Sequence, residues 1–274
     1  MKTSIKNFLF LILFLIIYLP VQADDKTDAT PALNKKPLEG MTITLANGEY
    51  APFFSESFKH YGVVSLIVKE AFAQEGIRVN YVFRPWKRGL KEAAKGKWNG
   101  SVGWQKNEER LKTFFYSKPI MKTTTVFFQK KEYPVKWDTA SDLKGRKIVL
   151  ITGFVYGDEI MRAEEDGVIS VIRSVEAVHS LKMLIQGRVD LAAVEREVGL
   201  NLLFTRFNSG DAALVEPQKI NIHSKNLFMV LSRKRPESEE LIRLFNSGLK
   251  KIERNGKMDR FWQESRRGDY VIKP

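Results

Sequence analysis

Residues 100–120 read GSVGWQKNEERLKTFFYSKPI, and the parsing of this stretch decides the fold. Gly100 to Trp104 is short, apolar and opened by glycine, the pattern of a buried strand in an α/β sheet. Gln105 to Arg110 reads as a charged turn. Phe114-Phe115-Tyr116 is an aromatic run closed by Ser117-Lys118-Pro119. An arginine just past the carboxyl end of a strand stands where α/β folds put their ligands. Its guanidinium is always charged and grips a carboxylate through two parallel hydrogen bonds. The stretch therefore predicts a receptor for a small molecule carrying an acid group, with Arg110 as anchor. The competing arrangement is a surface pair with Glu108 or Glu109.

Working outward, strand and helix signals alternate. Met41–Ala46 and Ile77–Phe83 alternate as strands, and Tyr61–Gln74 carries Val64, Ile67, Val68, Ala71 and Phe72 at helical spacing. Pro85 opens a helix reaching about Lys95. Thr123–Gln129 is a longer strand. A second run then begins: a helical turn at Ser141-Asp142-Leu143, strands at Lys147–Thr152, Val168–Ile172 and Val189–Val194, and a helix at Asp158–Glu165. Ser174 is expected to cap a helix reaching Gln186, and a further helix runs to about Phe207. Asn226–Ser232 is a strand, Pro236 opens an amphipathic helix to about Arg254, and Lys257–Glu264 is another. This order implies a mostly parallel sheet covered on both faces. The β-rich segments Thr123–Lys130 and Asn226–Arg233 bracket the middle third and suit two strands crossing between lobes.

The amino terminus has its own logic. Lys2 and Lys6 precede an apolar run, Phe8–Leu19, with Val21-Gln22-Ala23 at the cleavage positions. Residues 1–23 are read as a secretory signal peptide, which places the mature protein in the periplasm. Residues 24–40 are polar and aperiodic, a flexible leader. The full chain has a net charge of +13 and no cysteine. Losing Lys2 and Lys6 lowers that charge to about +11. Lysines and arginines are scattered and no nucleic-acid motif appears, so nucleic acid is not an expected partner. Without cysteine there is neither a disulfide nor a thiolate metal site, so the core itself must stabilise the fold. His60, His179 and His223 show no ligand spacing, and no metal or cofactor is expected. Gly153 and Gly157 lack the Lys-Ser/Thr ending of a phosphate loop.

Four segments together resemble the bacterial extracellular solute-binding proteins of family 3, the amino-acid-binding periplasmic receptors of ABC importers. Asn47-Gly48-Glu49-Tyr50-Ala51-Pro52-Phe53 is similar to their opening ligand loop, and Gly100–Ile120 to their strand, arginine and aromatic-Ser-x-Pro signature. Leu143-Lys144-Gly145-Arg146-Lys147-Ile148-Val149 is similar to the start of their second lobe, and Gly187–Glu195 to their Gly-x-Val-Asp-Ala segment. The resemblance spans about Thr42 to Ser265. It implies an α/β, two-lobe periplasmic-binding-protein-like fold with two crossover hinge strands. Lobe 1 would be 41–128 plus 227–274, and lobe 2 would be 129–226. It also implies a monomer that binds a ligand without chemistry and hands it to the membrane subunits of an ABC importer. A dehydratase-type enzyme of the same fold and a sensory receptor are the alternatives.

By the same resemblance Arg110 pairs with a ligand carboxylate and Tyr50 stacks on the ligand, with Phe53 a weaker candidate. Glu195 occupies the place of an aspartate that holds the ligand's amino group; stabilising a helix amino terminus is its other role. Trp86, after Arg84-Pro85, is either a pocket wall or core. Two departures stand out. Serines common after the first-lobe strand are replaced by Gly103-Trp104-Gln105, and the second-lobe Gly-Ser-Thr by Gly153-Phe154-Val155. Backbone N–H groups near Gly153 remain available to an anion. Trp104 and Phe154 make the expected pocket more apolar and favour an aromatic or bulky ligand.

Overall fold

The alternation resolves into a single mixed sheet. The structure, a computed structural model, describes residues 38–272. The expected signal peptide and the leader up to residue 37 lie outside the described residues. The strands are β1 (Thr42–Asn47), β2 (Arg78–Phe83), β3 (Gly100–Trp104), β4 (Phe114–Lys130), β5 (Lys147–Ile151), β6 (Ser170–Ser174), β7 (Leu191–Glu195) and β8 (Val215–Ser232). They form an eight-stranded sheet in the order β2-β1-β3-β8-β4-β7-β5-β6. β1 pairs in parallel with β2 and β3, and β5 with β6 and β7. Between these parallel sets, β4 and β8 run antiparallel along most of their length. The helices are α1 (Val63–Ala73), α2 (Trp86–Ala94), α3 (Glu108–Thr113), α4 (Asp158–Glu165), α5 (Ala177–Ile185), α6 (Arg196–Arg206), α7 (Ser209–Ala213), α8 (Ser238–Arg254) and α9 (Lys257–Arg266).

Burial divides the molecule. One core gathers Ile43, Leu45, Phe72 and Val102 with Met229 and Phe245 from the carboxyl-terminal part of the chain. Two further clusters, around Phe127 with Leu150 and around Phe128 with Leu184, belong to the middle of the chain. Along β4 the first core ends at Met121 and the others begin at Val126; along β8 the change falls between Val215 and Leu227. These two strands carry the sheet from one core to the next. Where α1 meets α8 the backbones nearly touch: a Cβ on Gly248 would lie 1.9 Å from the Ala71 carbonyl oxygen.

Several local expectations change. The charged turn before Arg110 is helical: Asn107 Oδ1 caps α3 by accepting the Arg110 backbone N–H at 2.8 Å. The strand read at Thr123 begins nine residues earlier, at Phe114, and tolerates Pro119 because the pairing with β8 shifts register on either side of it. β8 begins at Val215 rather than Asn226. Ser174 ends β6 instead of capping a helix; α5 starts at Ala177 after Glu176, and the Ser174 hydroxyl donates to the Glu176 carbonyl at 2.9 Å. The last three residues of the expected leader form a turn: Gly40 N–H reaches the Gly76 carbonyl at 2.8 Å and Leu38 packs on the first core.

Candidate functional site

β1 and β3 lie side by side in parallel, so their carboxyl ends open on the same edge. Just beyond β1, Tyr50 N–H donates to the Phe54 carbonyl at 2.8 Å, closing a tight turn. Phe53 and Phe54 plug the core from this turn, at 1% and 0% exposure, and leave Tyr50 half-buried above them. β3 ends in a bulge at Gly103, between Val102 and Trp104. Gly103 has φ +89°, and a Cβ there would meet Phe54 at 3.0 Å and Trp86 at 3.3 Å. The bulge aims Trp104 across the strand ends. Its indole N–H donates to Ser101 Oγ at 2.7 Å, and Ser101 in turn donates to the Ala46 carbonyl at 2.6 Å. Trp86 stands edge-on to Trp104, with centroids 5.7 Å apart and planes at 81°. Phe54 backs Trp86 in the same manner at 5.7 Å.

Arg110 completes this aromatic chain. Its guanidinium lies 4.9 Å over the Trp104 ring and donates to the Gln105 carbonyl at 3.0 Å. Among the described residues it forms no ion pair, so the surface pairing with Glu108 or Glu109 is not made. Tyr50, Trp86, Trp104, Arg110 and Phe154 all line one cavity of about 370 Å³. Phe154 arrives from the loop after β5 and is 43% exposed.

Three expected residues lie off this cavity's lining. Phe53 packs on Tyr50 at 5.3 Å and on Trp262 at 6.1 Å, and so supports the wall from behind. Gly153 is exposed, with φ +82°, and α4 starts only after Gly157. The Phe154 N–H is already bonded to the Ile151 carbonyl at 3.3 Å. Glu195 is 8% exposed and caps α6, accepting the Val198 N–H at 2.8 Å and the Thr124 N–H at 3.2 Å. Burial pushes its carboxyl up to about 7, against the downward pull of those two amides. Burial, and then the nearby Glu195, raise the Tyr50 phenol well above its usual range, so Tyr50 stays protonated.

Sequence reasoning missed Lys225, Thr123 and Leu227, which also line the cavity. Thr123 and Lys225 are partners across β4 and β8, and Thr123 Oγ1 donates to the Lys225 carbonyl at 3.2 Å. The signal was period-two spacing: Lys225 and Leu227 share one face of a strand, provided the strand extends back past Asn226.

No curated protein matches the chain. Among solved structures, the second substrate-binding domain of Lactococcus lactis GlnP in its open conformation is similar with a TM-score of 0.68 at 16% identity, over 87% of this chain and 98% of that one. The second substrate-binding domain of a putative amino acid ABC transporter from Streptococcus pneumoniae is similar with a TM-score of 0.67 at 16% identity, over 84% and 100%. An ancestral amino-acid-binding protein described as a precursor of cyclohexadienyl dehydratase is similar with a TM-score of 0.54 at 20% identity, over 81% and 94%. At such identities these likenesses speak for the fold. The family itself follows from residues 43–264, which match as one continuous segment: the chain belongs to the bacterial extracellular solute-binding proteins, family 3.

Proposed function

We propose that this protein captures a small carboxylate-bearing ligand with an apolar, flat body, an amino acid or related acid, and delivers it to an ABC importer. One observation carries the reading. Arg110 faces a cavity walled by Tyr50, Trp86, Trp104 and Phe154 and has no acidic partner among the described residues. Beyond its bonds to the Gln105 carbonyl and the Tyr116 phenol, a guanidinium held on an aromatic face still has N–H groups to offer an incoming carboxylate. In this proposal the segments 41–128 with 227–274 and 129–226 act as two lobes closing about β4 and β8. The chain is exported by residues 1–23 and works as a periplasmic monomer. The test is calorimetry against amino acids and aromatic acids. Binding restricted to small polar amino acids would remove the aromatic part of the proposal.

A dehydratase-type activity is the second reading, favoured by the raised pKa of Glu195, a buried acid beside Tyr50. Both oxygens of Glu195 are taken by backbone N–H groups, which suits a helix cap better than a proton donor to a ligand. Incubation with prephenate or arogenate is expected to give no turnover, read by chromatography; any product formation would favour the enzyme.

A further inference from the structure

The cavity is lined by two cations and, among the described residues, by no acid. Lys225 is the second cation. It is half-buried on β8, makes no ion pair among the described residues, and its Nζ lies 5.8 Å from the centroid of Phe154. Burial lowers its pKa from the usual lysine value, so its charged form is short of solvation and gains from an anion. The neighbouring acids are committed elsewhere. Glu49 is not part of the lining, and its Oε1 accepts the Glu56 N–H at 2.7 Å. Glu195, the one acid that the resemblance assigned to a ligand amino group, is held by Val198 and Thr124 off the lining.

An ammonium group entering this cavity would lose its water and meet no carboxylate, with two protein cations nearby. Unpaired charge is costly to bury. Aromatic faces can also hold an ammonium, but two of the four aromatic residues in the lining, Trp104 and Phe154, already carry Arg110 and Lys225. We propose that the ligand carries two anionic groups on a flat apolar body and no ammonium, one anion held by Arg110 and the other by Lys225. This rests on the carboxylate-receptor reading above and narrows its ligand class away from zwitterionic amino acids.

Three acids with the same benzyl body provide the test: phenylalanine, 3-phenylpropionate and benzylmalonate, in which the ammonium is present, absent or replaced by a second carboxylate. Titrated calorimetrically into the mature chain, benzylmalonate is expected to bind about tenfold or more tighter than phenylalanine, the scale of one charge-assisted contact. Lys225→Met should remove about tenfold of benzylmalonate affinity and leave 3-phenylpropionate within about twofold. Circular dichroism of the variant establishes that it is folded, and Lys225→Arg, which keeps the charge, should retain the preference. Phenylalanine binding as tightly as benzylmalonate, benzylmalonate indifferent to Lys225→Met in a folded variant, or no binding by any of the three acids would each overturn the two-anion proposal. The underlying receptor reading fails separately, if Arg110→Ala leaves the affinity of every bound acid unchanged. Tight phenylalanine binding that Arg110→Ala abolishes would overturn the two-anion proposal while supporting that reading.

Discussion

Arg110 works through position as much as charge. Its backbone N–H is spent on the Asn107 cap, one guanidinium N–H on Gln105, and its face on Trp104, so the side chain is fixed before a ligand arrives. Arg110→Ala is expected to weaken carboxylate binding by roughly 2–5 kcal/mol, measured by calorimetry. Arg110→Lys should recover less than half of that loss, because an ammonium neither forks onto a carboxylate nor lies flat on indole. Glu195 gives a different test. Its folded pKa of about 7 lies above the ordinary 4.5, so the folded state holds a proton that the unfolded chain releases. Stability should therefore fall as pH rises from about 4.5 to about 7 and level off above that. Glu195→Gln cannot ionise, so relative to the parent it should gain about 2–3 kcal/mol between pH 5 and pH 8 in urea denaturation. A constant difference across that range would show that Glu195 does not titrate there. Arg110 was legible in the sequence because a charge directly after a buried strand has few places to go. Glu195 was legible only as two alternatives, since a carboxylate at a strand end serves a ligand or a helix cap equally well until its oxygens are traced.

At the scale of elements, β3 and β8 show where legibility stopped. The short apolar run of β3, opened by glycine, marked it as a strand, yet the bulge at Gly103 that aims Trp104 is a feature of pairing with β8. The first half of β8 contains Glu216, Pro217, Gln218 and Lys219, a polar stretch with a proline that reads as a connection. It is a strand because β4 supplies its hydrogen bonds and Gln218 is buried, with Trp137 Nε1 donating to its oxygen at 2.7 Å and its amide reaching Gln129 at 2.6 Å. Propensity yielded to partners here, and because the sequence reads as a strand starting only at Asn226, Lys225 was missed with it. Two substitutions test the packing. Gly103→Ala forces a side chain into a left-handed backbone against Phe54; a cost of about 1–3 kcal/mol is expected in denaturant melts, with loss of ligand affinity as Trp104 moves. Gly248→Ala would drive a methyl into the Ala71 carbonyl and separate α1 from α8. The expected cost is about 2 kcal/mol or more, with ligand affinity retained if the variant still folds.

Over residues 38–272 the fold is a sheet whose two ends have their own cores, joined by β4 and β8 and tied again between α6 and α9. Arg266 of α9 makes a two-pronged pair with Glu197 of α6, Nη2 donating to Oε1 at 2.9 Å and Nε to Oε2 at 3.2 Å. A ligand that draws the two cores together must bend the strands and shift this pair. Ligand saturation is therefore expected to reduce the radius of gyration in solution scattering; an unchanged profile at saturation would remove the closure mechanism. The chain has five tryptophans, and they divide along the same lines. Trp98 is bonded to Glu92, Trp137 to Gln218, and Trp262 packs on Phe53, while Trp86 and Trp104 face the cavity in edge contact. A carboxylate drawing on the guanidinium 4.9 Å over Trp104 would change the electrostatic surroundings of that indole, so ligand binding is expected to shift its emission. The protein thus contains its own optical probe: unlabelled ligands can be ranked by the colour and brightness of its fluorescence, and a Trp104→Phe variant identifies the indole that responds.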